Sequence, residues 1–141
     1  MIYQEINASG NFTSWETSKL NELKEEQIST DLGQSLLFEN DSLRIWEIFL
    51  QPGERMGFRK IINNYNLVSM GIGLSISRCE DGSINLYKFN EGDTFFINAA
   101  NESKVQDLEN IGDLPLYLNI MEFKSFYITC DEQIISVLKE R

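Results

Sequence analysis

Leu43-Arg44-Ile45-Trp46-Glu47-Ile48-Phe49-Leu50, followed at once by Gln51-Pro52-Gly53-Glu54, reads as a strand that stops at a turn. Branched and aromatic side chains pack well on a pleated surface, and the eight residues contain neither Gly nor Pro. Pro52 presets φ for the second turn position, and Gly53 supplies the left-handed position of a type II turn. Just upstream, residues 35–39 form a second short apolar run, separated from the first by Asn40-Asp41-Ser42.

The same alternation of short apolar runs and turn residues continues downstream. Strands are expected over residues 66–77, 84–89, 94–98, 104–108, 116–124 and 126–130. The breaks between them are Glu80-Asp81-Gly82-Ser83, Asn90-Glu91-Gly92-Asp93 and Asn110-Ile111-Gly112-Asp113. Asp-Gly is among the strongest short hairpin signals. Gly71 and Gly73 interrupt the run 66–77 and predict a sharp bend or the close approach of another segment. No helix follows Gly71-Ile72-Gly73, so it is not a phosphate cradle. A short helix is expected over residues 18–27, capped by Ser18 and with Leu20 and Leu23 on one face; a second is expected over 131–139, capped by Asp131. Many short strands between closely spaced turns indicate an all-β sandwich or barrel, decorated by short N- and C-terminal helices. The expected organisation is one domain: a polar extension over residues 1–34, a barrel over 35–130 and a terminal helix over 131–141.

A chain of 141 residues is long enough to bury a core without disulfides or metal. Twenty-two acidic against twelve basic residues give a net charge of −10, which argues against nucleic acid and membrane surfaces as partners. The first ten residues lack a basic segment followed by an apolar one, and no apolar run approaches membrane-spanning length, so a cytoplasmic protein is expected. Cys79 and Cys130 form no CxxC pair and are expected to be free thiols. Histidine is absent altogether, which removes the commonest metal ligand and general base.

Three segments resemble a known family. Glu39-Asn40-Asp41-Ser42-Leu43-Arg44-Ile45-Trp46-Glu47 with Leu50-Gln51-Pro52-Gly53-Glu54 is similar to the entry of small single-domain cupins. Gly92-Asp93-Thr94-Phe95-Phe96 is similar to the start of their second motif, and Asp107-Leu108-Glu109-Asn110-Ile111-Gly112-Asp113-Leu114-Pro115 to its close. The resemblance covers about residues 36 to 124 and implies a cupin-like jelly-roll barrel that forms homodimers. It implies no activity, because this fold hosts many chemistries.

The resemblance also says where the family's metal would sit, and there this chain departs from it. The two histidine positions after the Pro-Gly-Glu turn fall on Arg59 and Ile61, the third ligand position on Tyr65, and the second-motif histidine on Gln106, or on Ser103 under a different placement. Transition ions want imidazole, thiolate or several carboxylates converging at about 2.0–2.3 Å. Arginine is permanently cationic and isoleucine has no lone pair, so no metal and no cofactor are expected.

The candidate ligand-binding residues are therefore Arg59, Ile61, Tyr65, Gln106, Trp46 and Phe58. Arg59 would present a planar donor fork to a carboxylate or phosphate, unless it points outward or an acid such as Glu47 neutralises it. Tyr65 and Gln106 would add directed hydrogen bonds. Trp46 and Phe58 would line an apolar part of the pocket or simply pack in the core. In the Phe95-Phe96 pair one ring should face the core and the other outward, towards a second subunit.

Three functions remain open from these residues. One is a metal-free binding module for a small anionic or polar ligand. Another is a metal-independent isomerase, lyase or cyclase, with Tyr65 as general acid or base and Arg59 stabilising an oxyanion. The third is a dimerisation scaffold.

Overall fold

The structure is a computed structural model, and it describes residues 2–25, 27–100 and 105–124. Ten strands and one helix follow in the order β1 (Ile2–Asn7), α1 (Thr17–Leu23), β2 (Ser35–Glu39), β3 (Leu43–Leu50), β4 (Arg55–Lys60), β5 (Tyr65–Ser69), β6 (Gly73–Arg78), β7 (Ile84–Phe89), β8 (Thr94–Ile97), β9 (Val105–Asn110) and β10 (Leu116–Phe123). They build two antiparallel five-stranded sheets, β1-β7-β6-β9-β4 and β2-β3-β10-β5-β8. The two sheets make the all-β jelly-roll barrel expected from the sequence.

The strand-and-turn stretch 43–54 behaves as its residues dictate. Trp46, Ile48 and Leu50 are buried on one face of β3, and Gly53 takes a positive φ while Glu54 N–H donates to Gln51 C=O at 2.9 Å. Opposite them on β10, Leu116, Leu118 and Ile120 point inward with the same alternation. With Leu32, Met56, Ile61 and Phe89 these side chains form the core between the sheets. Each fully buried leucine contributes about 1.5–3 kcal/mol relative to exposure.

Three elements differ from the sequence reading. Residues 66–77 are two strands on different sheets, β5 and β6, with the chain crossing over at residues 70–72. An apolar run looks the same whether or not it changes sheets, and only the glycines marked the corner. Gly73 also makes the expected close approach: a Cβ there would lie 2.6 Å from Leu116 Cδ1. β1 lies in what was expected to be a polar extension; it pairs along β7, Tyr3 opposite Tyr87, although its burial pattern is almost wholly exposed. β4, Arg-Met-Gly-Phe-Arg-Lys, carries too few apolar residues to stand out locally and is held by β9.

The helix α1 starts one residue earlier and is shorter than expected. Ser18 is not its cap: the N-cap is Glu16, which makes no side-chain capping bond and instead accepts from Lys19 Nζ at 2.8 Å. Seven residues would not hold a helix alone. Leu20 and Leu23 anchor it against a second apolar cluster of Trp15, Phe58 and Val105 on the outer face of the first sheet. The strand expected over 126–130, the helix over 131–139, Ser103 and Cys130 lie outside the described residues.

Candidate functional site

Between the sheets the core leaves a cavity of about 530 Å³. Its position follows from side-chain size along the first sheet. β7 contributes the large rings of Tyr87 and Phe89; β6, next to it, turns only Ser75 and Ser77 inward; and the floor drops away there. The second sheet faces this floor with Ile48, Leu67, Leu118 and Ile120. Volumes of this order suit a small organic molecule.

Of the six residues singled out in the sequence, Arg59, Ile61, Tyr65 and Gln106 line this cavity. Trp46 and Phe58 do not. Trp46 is buried among the core residues, and its Nε1–H donates to Glu122 Oε1 at 2.8 Å. Phe58 points to the outer face of its sheet, where its ring stacks on Trp15 at 6.1 Å between centroids and lies under the Arg55 guanidinium at 5.1 Å. The Phe95-Phe96 pair splits as strand alternation requires. Phe95 packs on Phe89, while Phe96 is 59% exposed beside Phe123.

A bulge decides which way Arg59 points. Met56 faces Leu108 and Arg59 faces Gln106, so three steps on β4 match two on β9. The extra residue returns Arg59 to the inner face that Met56 already occupies and sends Phe58 outward. The sequence signal was there in Gly57, since glycine inside a strand often marks such a break.

Side chains stabilise the bulge from both directions. Glu22 Oε1 accepts the Phe58 amide at 3.3 Å, and Arg59 Nη1 donates back to the carbonyls of Gly57 at 3.4 Å and Phe58 at 3.2 Å. A Cβ on Gly57 would sit 2.7 Å from Glu22 Oε1. These contacts use one end of the guanidinium; its Nε is buried with no hydrogen-bond partner.

No acid forms a salt bridge with Arg59 among the described residues, although Glu22 Oε1 and Arg59 Nη1 both stand close to Gly57. Glu47, considered for that role, lies on the outward face of β3 and accepts from Tyr117 Oη at 3.2 Å, which raises the Tyr117 pKa. Asp107 contributes to the cavity lining, but its carboxylate is taken up in a ladder of charges. Its carboxylate accepts from Arg55 Nε at 2.6 Å and Arg78 Nη1 at 2.9 Å, while Arg55 continues to Glu22 at 2.7 Å and Arg78 to Glu109 at 2.9 Å. Desolvation opposes the charge on Glu22, but its bonds to Arg55 and the Phe58 amide outweigh it and hold the carboxyl below its usual value.

Gln106 stands beside Arg59, and its Oε1 accepts from Ser77 Oγ at 3.2 Å. Cys79 is 3% exposed, and burial pushes its thiol pKa up, which suits a packed side chain and not a nucleophile.

The positions where the resemblance puts metal ligands thus hold a guanidinium, an aliphatic chain, a phenol and an amide. That donor set does not fit a transition ion. Among the described residues no three His, Cys, Asp or Glu side chains converge to hold one elsewhere. No helix among those residues is long and apolar enough to cross a membrane.

No family model and no curated protein matches the sequence. Solved structures do match. A cupin domain from Bordetella pertussis Tohama I superposes with a TM-score of 0.57 at 17% identity, over 71% of this chain and 99% of its own. An uncharacterized conserved protein with a double-stranded β-helix domain from Klebsiella pneumoniae subsp. pneumoniae MGH 78578 gives 0.50 at 13% identity, over 78% and 90%. Likeness at such identities speaks for the fold alone.

Proposed function

We propose that this chain, whose fold is that of the cupins, is a small-molecule binding module that takes a small anionic or polar ligand without a metal. The supporting observation is Arg59, the one cationic side chain among the described residues that line a largely apolar cavity, with its Nε buried without a partner and no salt bridge to any described acid. A partly buried charge without a salt-bridge partner is unfavourable, and an anion arriving at the cavity offsets it. Gln106 stands beside the anchor and Tyr65 adds a hydrogen-bonding group from the facing sheet, while Ile61 belongs to the apolar wall that takes the rest of the ligand. Trp46 and Phe58 are left out of the binding set because their rings are committed elsewhere.

Mass spectrometry of the protein purified without a tag, first native and then denatured, tests this reading. A small organic anion that co-purifies with the wild type and is lost from Arg59→Gln is the expected result. Thermal melting against a panel of small carboxylates gives a second measure, with stabilisation in the wild type and not in the variant. A wild type that neither carries such a compound nor gains stability at millimolar concentrations overturns the reading.

The homodimer implied by the resemblance remains part of this proposal. Leu36, Leu37 and Phe38 on the edge strand β2 are each about half exposed, and an uncovered apolar edge favours pairing. Light scattering at micromolar concentration should return twice the chain mass of 16.3 kDa, and a monomer overturns it.

A further inference from the structure

We infer that the ligand is a planar aromatic monocarboxylate, with its carboxylate on Arg59 and its ring against the wall made by β7. This rests on the binding-module reading and narrows it to one chemical class.

The charged end is set by which guanidinium atoms are already used. Arg59 Nη1 is turned to the carbonyls of Gly57 and Phe58, while Nε is buried with no partner. Nε is closed off from the cavity, so what the arginine offers there is a single positive charge, which one carboxylate matches. Arg59 is the sole cationic side chain among the described residues that line the cavity. The other two arginines nearby, Arg55 and Arg78, are committed to Asp107. One guanidinium charge neutralises one carboxylate; a phosphate ester carries up to two charges and three free oxygens, for which the described cavity has no second cation.

The other end is set by the rings. Tyr3, Tyr87, Phe89 and Phe95 form a continuous run with centroids 5.4, 6.1 and 6.1 Å apart, and Tyr87 and Phe89 are within 13° of parallel. Phe95 belongs to β8 of the second sheet, whose other lining side chains include the aliphatic Leu118 and Ile120. Rings contributed by both sheets favour a flat aromatic group that can stack on them over a bulky saturated one.

The distance between the two ends fits. β7 and β4 are three strand intervals apart in the sheet order, about 14 Å between backbones, with Ser77 of β6 and Gln106 and Leu108 of β9 lining the stretch between them. Arg59 reaches inward from one side and Tyr87 from the other, which leaves room for a fused or extended aromatic acid.

Calorimetric titration with naphthalene-2-carboxylate, its carboxamide, its fully saturated decahydro analogue and 2-naphthyl phosphate tests the inference. The carboxylate should bind at least about tenfold tighter than the amide and the phosphate, the usual worth of a hydrogen-bonded charge pair. It should also bind tighter than the saturated acid. Arg59→Gln should bring carboxylate and amide within about twofold of each other. If that variant does not fold, Arg59→Lys keeps the charge and should keep the preference for carboxylate over amide. Phosphate binding as tight as carboxylate in the wild type, or saturated acid as tight as aromatic, overturns this inference and leaves the anion-binding module standing. Affinity for all four probes that is absent, or indifferent to Arg59, overturns the module as well.

Discussion

Glu22 Oε1 reaches from the outer helix to the backbone amide of Phe58, 3.3 Å away, the amide that the β4 bulge exposes. Arg59 takes the bulge carbonyls from the cavity side. The helix on the outside of the sheet and the candidate anchor on the inside are thus joined through one backbone irregularity, and several consequences can be measured.

Glu22→Ala should destabilise the fold by about 1–2 kcal/mol, since the Phe58 amide and Arg55 Nη1 each lose an acceptor. It should also loosen the bulge and weaken binding through Arg59. Urea unfolding and the calorimetric titration report the two effects separately, and a variant as stable as the wild type would contradict the first.

Glu22 also makes the stability pH-dependent. Its folded pKa lies below its unfolded value near 4.5, so the stability it contributes is present above that pH and lost as the pH falls through the lower folded value. The wild type should therefore melt above Glu22→Gln at pH 6, with the gap closing as the pH is taken down towards 3. A gap that is constant or widens in acid would disagree.

Gly57→Ala places a methyl group 2.7 Å from Glu22 Oε1, the oxygen that accepts the Phe58 amide, in a carboxylate whose other oxygen is held by Arg55. Its cost should be coupled to Glu22. In a double-mutant cycle the pair Gly57→Ala and Glu22→Ala should cost less than the sum of the singles, by about 0.5–1.5 kcal/mol. Strict additivity would mean that the contact carries no energy.

Glu122 is a buried carboxylate at 1% exposure that accepts from Trp46 Nε1 and Asn63 Nδ2, each at 2.8 Å. Glu122→Leu strands both donors and should cost roughly 3 kcal/mol in denaturant unfolding followed by tryptophan fluorescence. The same substitution should leave the cavity's preference for carboxylate over amide unchanged, because Glu122 is outside the cavity lining.

Removing the cavity wall should separate packing from charge. Tyr87→Leu eliminates the ring stacked on Phe89 and shortens the aromatic run. Affinity for naphthalene-2-carboxylate should fall about three- to tenfold, roughly the worth of one aromatic pair, with the ratio of carboxylate to amide preserved. A change in that ratio would place the carboxylate elsewhere than on Arg59.

What could be read in the chain alone was whatever local chemistry decides. The strand β3 and its Pro-Gly turn, the hairpin at Asp81-Gly82, the corner marked by Gly71 and Gly73, and the unsuitability of Arg59 and Ile61 as metal ligands all follow from residue type and spacing. Contacts between distant segments decided the rest. β1 is a strand because the edge of β7 needs a partner, not because Ile2–Asn7 alternates. Phe58 left the candidate site and Arg59 entered it because one extra residue reversed the inward face of β4, and that residue is accommodated by a glutamate 36 positions upstream. Side-chain direction in a strand has a period of two, so a single bulge exchanges inside for outside; no local pattern reports it until the neighbouring strand and helix are in place.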